Sequence, residues 1–500
     1  MTSLNDSRFP AKIYTETVLA PCFIEAQEYF LNPLMAIHEA HALMLEKQKI
    51  ISTQDAQTIL KGLSELDLQN LRTRPYDGSV EDLFFLIEKV LTEKIGDETA
   101  GKLHTARSRN DIDITLYRMI LREDLLSTIE AGVELTQSLC SLAEKHLQTV
   151  MPAHTHTQPA QPTTLAHYLS AAIDFLQRDL HRLQSAYTTV NQNPLGACAI
   201  TTTGFPIDRI ATTEYLGFDQ IIKNSYGAIS CFDYVAESLS ALATSMLNLG
   251  RFNQDLLLWA TQEFSFIRIG DAFVQKSSIM PQKRNPVALE HVRILASRAL
   301  TISHATIQSL HNTPMGDIND AEDPIQPLIR SAFVDSRRAM KLLSGVLGAV
   351  EIDVARLHRL ASGSYLTLTE LADTLVREEG VSFREAHRLC SETLKSLGSP
   401  AEQPTPSIII AALAPIARAR LGHDLRTPTE KLLKSLDPLN FVQVRTVVGG
   451  PAPKTVHEFL TQAYSTNQET LLWLQKAQLK LKNAGEIRSG RIETLLASNS

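Results

Sequence analysis

DAFVQKSSIMPQKRNPVALEHVR, residues Asp271 to Arg293, is the stretch on which the reading of this chain turns. Pro281 and Pro286 bound a segment that cannot be ordinary helix, because each ring fixes φ and removes a backbone donor. Val287, Leu289, Val292 and Leu295 restart helical spacing at once, so a loop abuts a rigid helix. The loop holds Ser277, Ser278, Lys283 and Asn285, and the helix carries Glu290. A serine doublet, a cation, an amide donor and a carboxylate supply a base and an oxyanion clamp.

Composition sets the frame around that loop. Five hundred residues at 44% hydrophobic can bury a large core and are expected to divide into two or three domains. A formal net charge of -7 without a long Lys/Arg run excludes a nucleic-acid surface and favours a small-molecule partner. The N-terminus MTSLNDSRFPAK has no apolar signal core, and the longest apolar run, Ile408 to Ala417, is short and contains Pro415. A cytoplasmic protein with no membrane contact is therefore expected. Cys22, Cys140, Cys198, Cys231 and Cys390 are scattered and never spaced CxxC, which predicts reduced, mostly buried thiols rather than disulfides or a zinc cage.

Upstream of the serine loop the pattern is helical. Met35, Ile37, Leu43 and Leu45, then Leu83, Leu86, Ile87 and Val90, mark a small N-terminal helical region. Residues 99–114, TAGKLHTARSRNDIDI, interrupt it with Ser108, Arg109, Asn110 and Asp111 in succession. That concentration reads either as a solvated turn with Asp111 near the next helix start, or as an anion clamp built on Arg109. A long helix follows, striped by Leu121, Leu125, Ile129, Val133 and Leu139, and stops by Pro152. Thr155, His156, Gln158 and Gln161 then lie among prolines before a second helix near Thr164. His154 and His156 lack a third ligand at a recognisable spacing, so His156 reads as a catalytic or hydrogen-bonding group and no metal is expected.

Pro194 to Arg209 is a small-residue connection to a third long helix, striped by Val235, Leu239, Leu242, Met246 and Leu249. A fourth stripe, Val292, Leu295, Ala299 and Ile302, continues from the serine loop. Such stripes are core-packing elements, which puts function in the loops between them. Beyond Ser364 the helices shorten, with breaks at Pro400, Pro404 and Pro406 and again at Gly449, Gly450 and Pro451, before an amphipathic tail. The expected division is an N-terminal helical domain over 1–114, a long-helix domain over 115–364 and a smaller helical domain with its tail over 365–500. No internal repeat or low-complexity tract is present.

The segments SSIMPQKRNP, THTQPAQPTTLAHYL, GKLHTARSRND, PLGACAITTTGFPIDR and GVSFREAH together resemble the fumarase/aspartase superfamily and, within it, the argininosuccinate lyase family. The resemblance runs over roughly residues 35 to 455 in family order. It implies an all-α fold and a homotetramer whose long central helices form a twenty-helix bundle, with each active site assembled from three subunits. The implied chemistry is elimination of fumarate from an N-substituted L-aspartate, with argininosuccinate as first candidate and no cofactor. Proton removal beside a carboxylate builds negative charge on that carboxylate, so the site needs a base and preorganised positive groups. By resemblance Ser277 is the base, its alkoxide stabilised by loop N–H groups and cations, with Ser278 as the neighbouring candidate. Lys283 and Asn285 would hold the carboxylate where charge accumulates. Ser108, Arg109, Asn110 and Thr155 would bind the fumaryl carboxylates, Glu290 would orient His156, and Gln161 belongs to the substrate-binding set.

Departures from the family pattern fall on the amine side. Where the family reads GRSRNDQ, this chain has Ala106 and Ile112; Phe84 replaces a histidine and Phe232 an arginine. Residues 314–327, PMGDINDAEDPIQP, stand where relatives have PLAYNKDLQEDKEP, so the substrate-holding tyrosine, glutamine and lysine become Asp317, Glu322 and Ile325. Phe23 aligns with a serine that contacts the amino-acid end. Lost lysine and gained carboxylates imply a leaving amine more positive or less negative than arginine. That keeps open a lyase for another N-succinyl amine, such as ethylenediamine-disuccinate, while a solvated acidic loop is the plainer reading of Asp317, Glu322 and Asp323. A third alternative is a non-catalytic protein like the lens delta crystallins, but packing requires none of Ser277, His156, Lys283, Asn285 and Glu290.

Overall fold

The computed structural model describes residues 9–398 and 404–498. Its regular structure is almost all helix, with short two-stranded ladders between helices. Pro400, read from sequence as part of a break, lies outside the described residues.

The frame consists of long helices, Arg109–Lys145, Leu165–Val190, Asp233–Trp259, Val287–Ser309 and Gln326–Gly348. At about 1.5 Å per residue the first runs for roughly 55 Å. Helix Arg109–Lys145 packs on Leu165–Val190 and on Gln326–Gly348, and Val287–Ser309 lies between Asp233–Trp259 and Gln326–Gly348. Leu125, Ile129, Leu239, Leu242 and Phe333 are buried along one part of the bundle, and Leu139, Ile173, Val292 and Leu343 along another. The helices approach closely at Gly132, where a Cβ would lie 2.5 Å from Leu180 Cδ2.

Helices Leu31–Lys47, Thr53–Ser64 and Leu83–Ile95 enclose a separate N-terminal core with Leu43, Ile59 and Ile87 at its centre. A smaller core, including Leu371, Leu389 and Leu413, joins helices Leu368–Glu379, Phe383–Leu397 and Pro406–Leu421. The tail, helix Pro453–Ala497, runs back along Arg109–Lys145 and Leu165–Val190 and reaches the N-terminal helices. Packing therefore associates the tail with the bundle, although sequence position groups it with the C-terminal region.

The first long helix starts at Arg109, where Ser108 and Asp111 form a reciprocal capping box, in line with the reading of Asp111 near a helix start, whereas one other local reading changes. Sequence position 114 thus falls within a helix. Residues 150–164 are an antiparallel hairpin, Val150–Thr155 on Gln158–Thr164, where the prolines suggested a loop. Pro152 faces Pro162 in a ladder only two strands wide, so each missing N–H can lie on an open edge. Cys140, Cys198 and Cys390 are buried, and all five cysteines are free. No described helix is long and apolar enough to cross a membrane.

Candidate active site

The polar start of helix Arg109–Lys145 is held by a network of contacts between residues far apart in sequence. Asp111 Oδ1 accepts the Ser108 N–H at 2.9 Å, and Oδ2 accepts the N–H groups of Gly196 and Cys198 at 2.7 and 3.0 Å. The PLGACAI connection is thereby tied to the SRND segment. Burial pushes the Asp111 carboxyl up to about 6 against those donors and Arg107. Behind it, buried Arg107 meets His38 Nδ1 at 2.8 Å, and the His41 ring contacts the Thr105 carbonyl at 2.8 Å. Burial pushes both imidazoles down, His41 to about 3, which keeps His38 neutral as an acceptor for Arg107.

Ser108 Oγ donates to Asn110 Oδ1 at 2.8 Å, and Asn110 Nδ2 reaches the Ala199 carbonyl at 3.3 Å. Arg109 is clamped by Asp82 at 2.6 Å and Glu81 at 3.3 Å, and stacks over Phe85. Asp82 does two jobs, since its other oxygen caps helix Leu83–Ile95 through the Phe85 N–H. Burial works against the Arg109 charge, but Asp82 and Glu81 raise its pKa above the ordinary guanidinium value.

Arg109 and Asn110 open onto a cavity of about 470 Å³. Phe23, Asp317 and Glu322, three of the positions that depart from the family pattern, lie on its wall; Ile325 is instead buried in the bundle core. Sequence reasoning missed Asp113 and Tyr117, which line it too. Arg109, Asp113 and Tyr117 are four apart and share a helix face, a spacing that would have found them had the helix start been placed at Arg109. Tyr117 Oη donates to Asp323 at 2.5 Å. Burial and then Asp317 beside it push Glu322 up to about 7; burial and then Asp323 push Asp113 well above the carboxylate range.

Thr155, His156 and Gln161 lie elsewhere, on the exposed hairpin. Its turn places His156 at φ 51° and Thr157 at φ 62°, left-handed values that non-glycine residues adopt at a cost. Gln161 Nε2 donates to Thr369 Oγ1 at 3.2 Å.

Ser277, Ser278, Lys283 and Asn285 form a third group, on a small hairpin of strands Gln275–Lys276 and Arg284–Asn285. Its base is pinned by Arg284, which pairs with Asp271 at 2.5 Å and donates to the Ile269 carbonyl at 2.7 Å. Its tip is open: Ile279 is 82% exposed. There the N–H groups of Ile279 and Met280 point to Ser277 Oγ at 3.3 and 3.1 Å. Glu290 follows in the first turn of helix Val287–Ser309, immediately beyond Pro286. No hydrogen bond or ion pair among the described residues joins Glu290 to His156, or links the three groups within one chain. Among the described residues no set of three or more His, Cys, Asp or Glu is placed to hold a metal ion.

Comparison with known proteins follows the same lines. The lyase family profile matches residues 10–301, and that of the argininosuccinate lyase C-terminal region matches residues 365–443. The chain is 40% identical to argininosuccinate lyase 2 of Agrobacterium fabrum, over 90% of each chain. It is 36% identical to argininosuccinate lyase of Methanosarcina barkeri, over 95% of this chain and 94% of that one. In structure it is similar to EDDS lyase in complex with formate, with TM-score 0.83 and 32% identity over 95% of this chain and 96% of the other. The chain belongs to the argininosuccinate lyase family of the fumarase/aspartase superfamily.

Proposed function

We propose that this member of the family is a carbon-nitrogen lyase that eliminates fumarate from an N-substituted L-aspartate, with argininosuccinate, cleaved to arginine and fumarate, as first substrate. The observation that carries the reading is the Ser277 loop in a chain 34–40% identical to curated argininosuccinate lyases. Two backbone N–H groups aimed at one serine oxygen favour its negatively charged form, as a serine acting as base requires.

In the proposed reaction Ser277 takes a proton from the carbon beside one carboxylate. Charge develops on that carboxylate, where Lys283 and Asn285 hold it. The C–H electron pair becomes the double bond, the C–N pair leaves with nitrogen, and the amine takes up a proton. Ser108, Arg109, Asn110 and Thr155 bind the carboxylates; Ser278 and Gln161 complete the contacts around them. His156 is oriented by Glu290, and no cofactor takes part. Asp317 and Glu322 contact the amine half.

Three groups, each at least partly open to solvent, that no hydrogen bond or ion pair joins within one chain suit a homotetramer in which three subunits contribute to each site. A cytoplasmic location goes with this reading. The test is fumarate release from argininosuccinate, followed by ultraviolet absorbance, with Ser277→Ala as control. Turnover that disappears in the control is expected. Turnover unchanged by that substitution would overturn the assignment of the base, and silence of the wild type on every N-substituted aspartate would favour the non-catalytic alternative.

A further inference from the structure

The hairpin that carries His156 is a weak element that the rest of the chain must hold. A two-stranded ladder is marginal on its own, and its turn keeps His156 and Thr157 at left-handed φ values that persist only where surrounding contacts impose them. Within one chain those contacts come from the C-terminal helical region. Val150, at the foot of the first strand, shares a buried cluster with Phe441 and Val442 of helix Pro438–Gln443. Gln161, on the second strand, donates to Thr369 in the first turn of helix Leu368–Glu379. The second strand runs into helix Leu165–Val190, whose His167 meets the Gly449 carbonyl through Nε2 at 2.9 Å and Thr163 Oγ1 through Nδ1 at 2.8 Å. A carbonyl only accepts, so Nε2 carries the proton, and Nδ1 of the neutral ring receives the Thr163 hydroxyl.

One ion pair lies behind all three contacts. Glu370, next to Thr369 in sequence and 2% exposed, accepts Arg445 at 2.9 Å. The same Arg445 nitrogen donates to the Phe441 carbonyl at 2.6 Å, and the guanidinium lies 3.3 Å from the centre of the Phe441 ring. Arg445 also opens the turn that presents Gly449, since its carbonyl accepts the Ala452 N–H at 3.3 Å. Arg377 gives Glu370 a second cation at 2.5 Å, so the buried carboxylate is paired even without Arg445. A buried pair gains little net stability after desolvation, and what Arg445 adds is a fixed geometry among the two helices and the Gly449 turn.

We propose that Glu370 and Arg445 are positioning residues for the lyase reaction, fixing the hairpin through Thr369, Phe441 and Gly449 so that His156 is held in place for the chemistry. They act through the hairpin and not on the substrate. The part that concerns the reaction rests on the lyase reading above, and the holding of the hairpin rests on the contacts alone.

The test uses the full-length protein with Arg445→Met, which removes the charge, Arg445→Lys, which keeps it, and Thr369→Val, which removes one hydroxyl at an exposed position, with Thr369→Ser to restore it. Amide exchange is compared over residues 150–164 and over helix Asp233–Trp259. Fumarate release gives kcat and KM for the N-substituted L-aspartate that the wild type cleaves, argininosuccinate first. Arg445→Met is expected to speed exchange over 150–164 several-fold, leave the helix unchanged and lower kcat about tenfold or more with a smaller change in KM. Arg445→Lys should recover part of both effects. Thr369→Val should move both in the same direction and Thr369→Ser should reverse them, so the outcome does not depend on Arg445→Met folding. Unchanged exchange over 150–164 in Arg445→Met and Thr369→Val overturns the inference. So does exchange that rises equally in helix Asp233–Trp259, which marks a general loss of stability, and so does faster hairpin exchange with kcat unaltered. A wild type that releases no fumarate defeats the lyase reading and the catalytic part of the inference with it, while the exchange still decides whether the pair holds the hairpin.

Discussion

Glu322 connects the site's charge to the protein's stability. Its pKa is raised to about 7, first by burial and then by Asp317, while Asp323 adds to the repulsion and Arg109 opposes it. Asp113 and Asp323 are shifted upward for the same first reason. For a carboxyl whose folded pKa lies above its unfolded value, the stabilising contribution is full below the unfolded pKa and is lost as pH rises through the folded one. The free protein is therefore expected to melt at a lower temperature at pH 8 than at pH 6. Glu322→Gln should reduce that difference; a Tm profile that the substitution leaves unchanged would contradict this assignment of the charge. Ser277→Ala should lower kcat by roughly 10²- to 10⁴-fold with the far-UV spectrum intact, in line with loss of a general base. Ala106 occupies a left-handed backbone position, φ 61°, which favours glycine. Ala106→Gly is expected to stabilise the fold by about 1 kcal/mol, measured by denaturant unfolding. The changes at Asp317 and Glu322 were legible in sequence because an ungapped segment exposed them. Asp113 was not, because its place on one face with Arg109 and Tyr117 follows from the exact helix start that the Ser108 and Asp111 capping box sets, and the sequence located that start only near Asp111.

At the scale of elements, the turns determine how the loops are presented. The long helices follow from apolar stripes, and stripes such as Val235 to Leu249 and Val292 to Ile302 lie on helices that the structure contains. The hairpin over 150–164 escaped this reading because proline frequency signals a loop, whereas an isolated two-stranded ladder has edges that tolerate it. Gly450, in the break before the tail helix, shows a different constraint. A Cβ there would sit 2.3 Å from the Arg445 carbonyl oxygen, a backbone atom that cannot step aside. Arg445 in turn pairs with buried Glu370 at 2.9 Å, so displacement would spread into helix Leu368–Glu379. Gly450→Ala is expected to cost about 1–3 kcal/mol in chemical denaturation. Gly490, exposed on the tail helix with nothing within 4 Å of where a Cβ would sit, provides the contrast. Gly490→Ala should gain roughly 0.5–1 kcal/mol.

For the whole molecule, the site residues are distributed as though one chain were insufficient. Arg109 opens onto the acidic cavity, His156 sits on an exposed hairpin turn, and Ser277 sits near the open tip of another. Sequence order could identify these motifs but could not show that they stay apart, because separation along a chain does not fix separation in space. Each group has its own local scaffold: the Asp111 network for Arg109, the β-ladder for His156, and the Arg284 ties for Ser277. In the proposed three-subunit site, pre-formed loops of this kind would need only docking of further copies, without refolding. The most direct measurement is complementation between two inactive variants, Ser277→Ala and Arg109→Ala, dissociated, mixed and reassociated, with fumarate release compared against each variant treated alone. Silence from each variant and restored turnover in the mixture are expected, because hybrid assemblies contain sites that draw an intact Ser277 loop and an intact Arg109 from different chains. A mixture as silent as its parents, under conditions in which reassociated wild type recovers activity and subunit exchange is verified, would contradict a site shared between subunits.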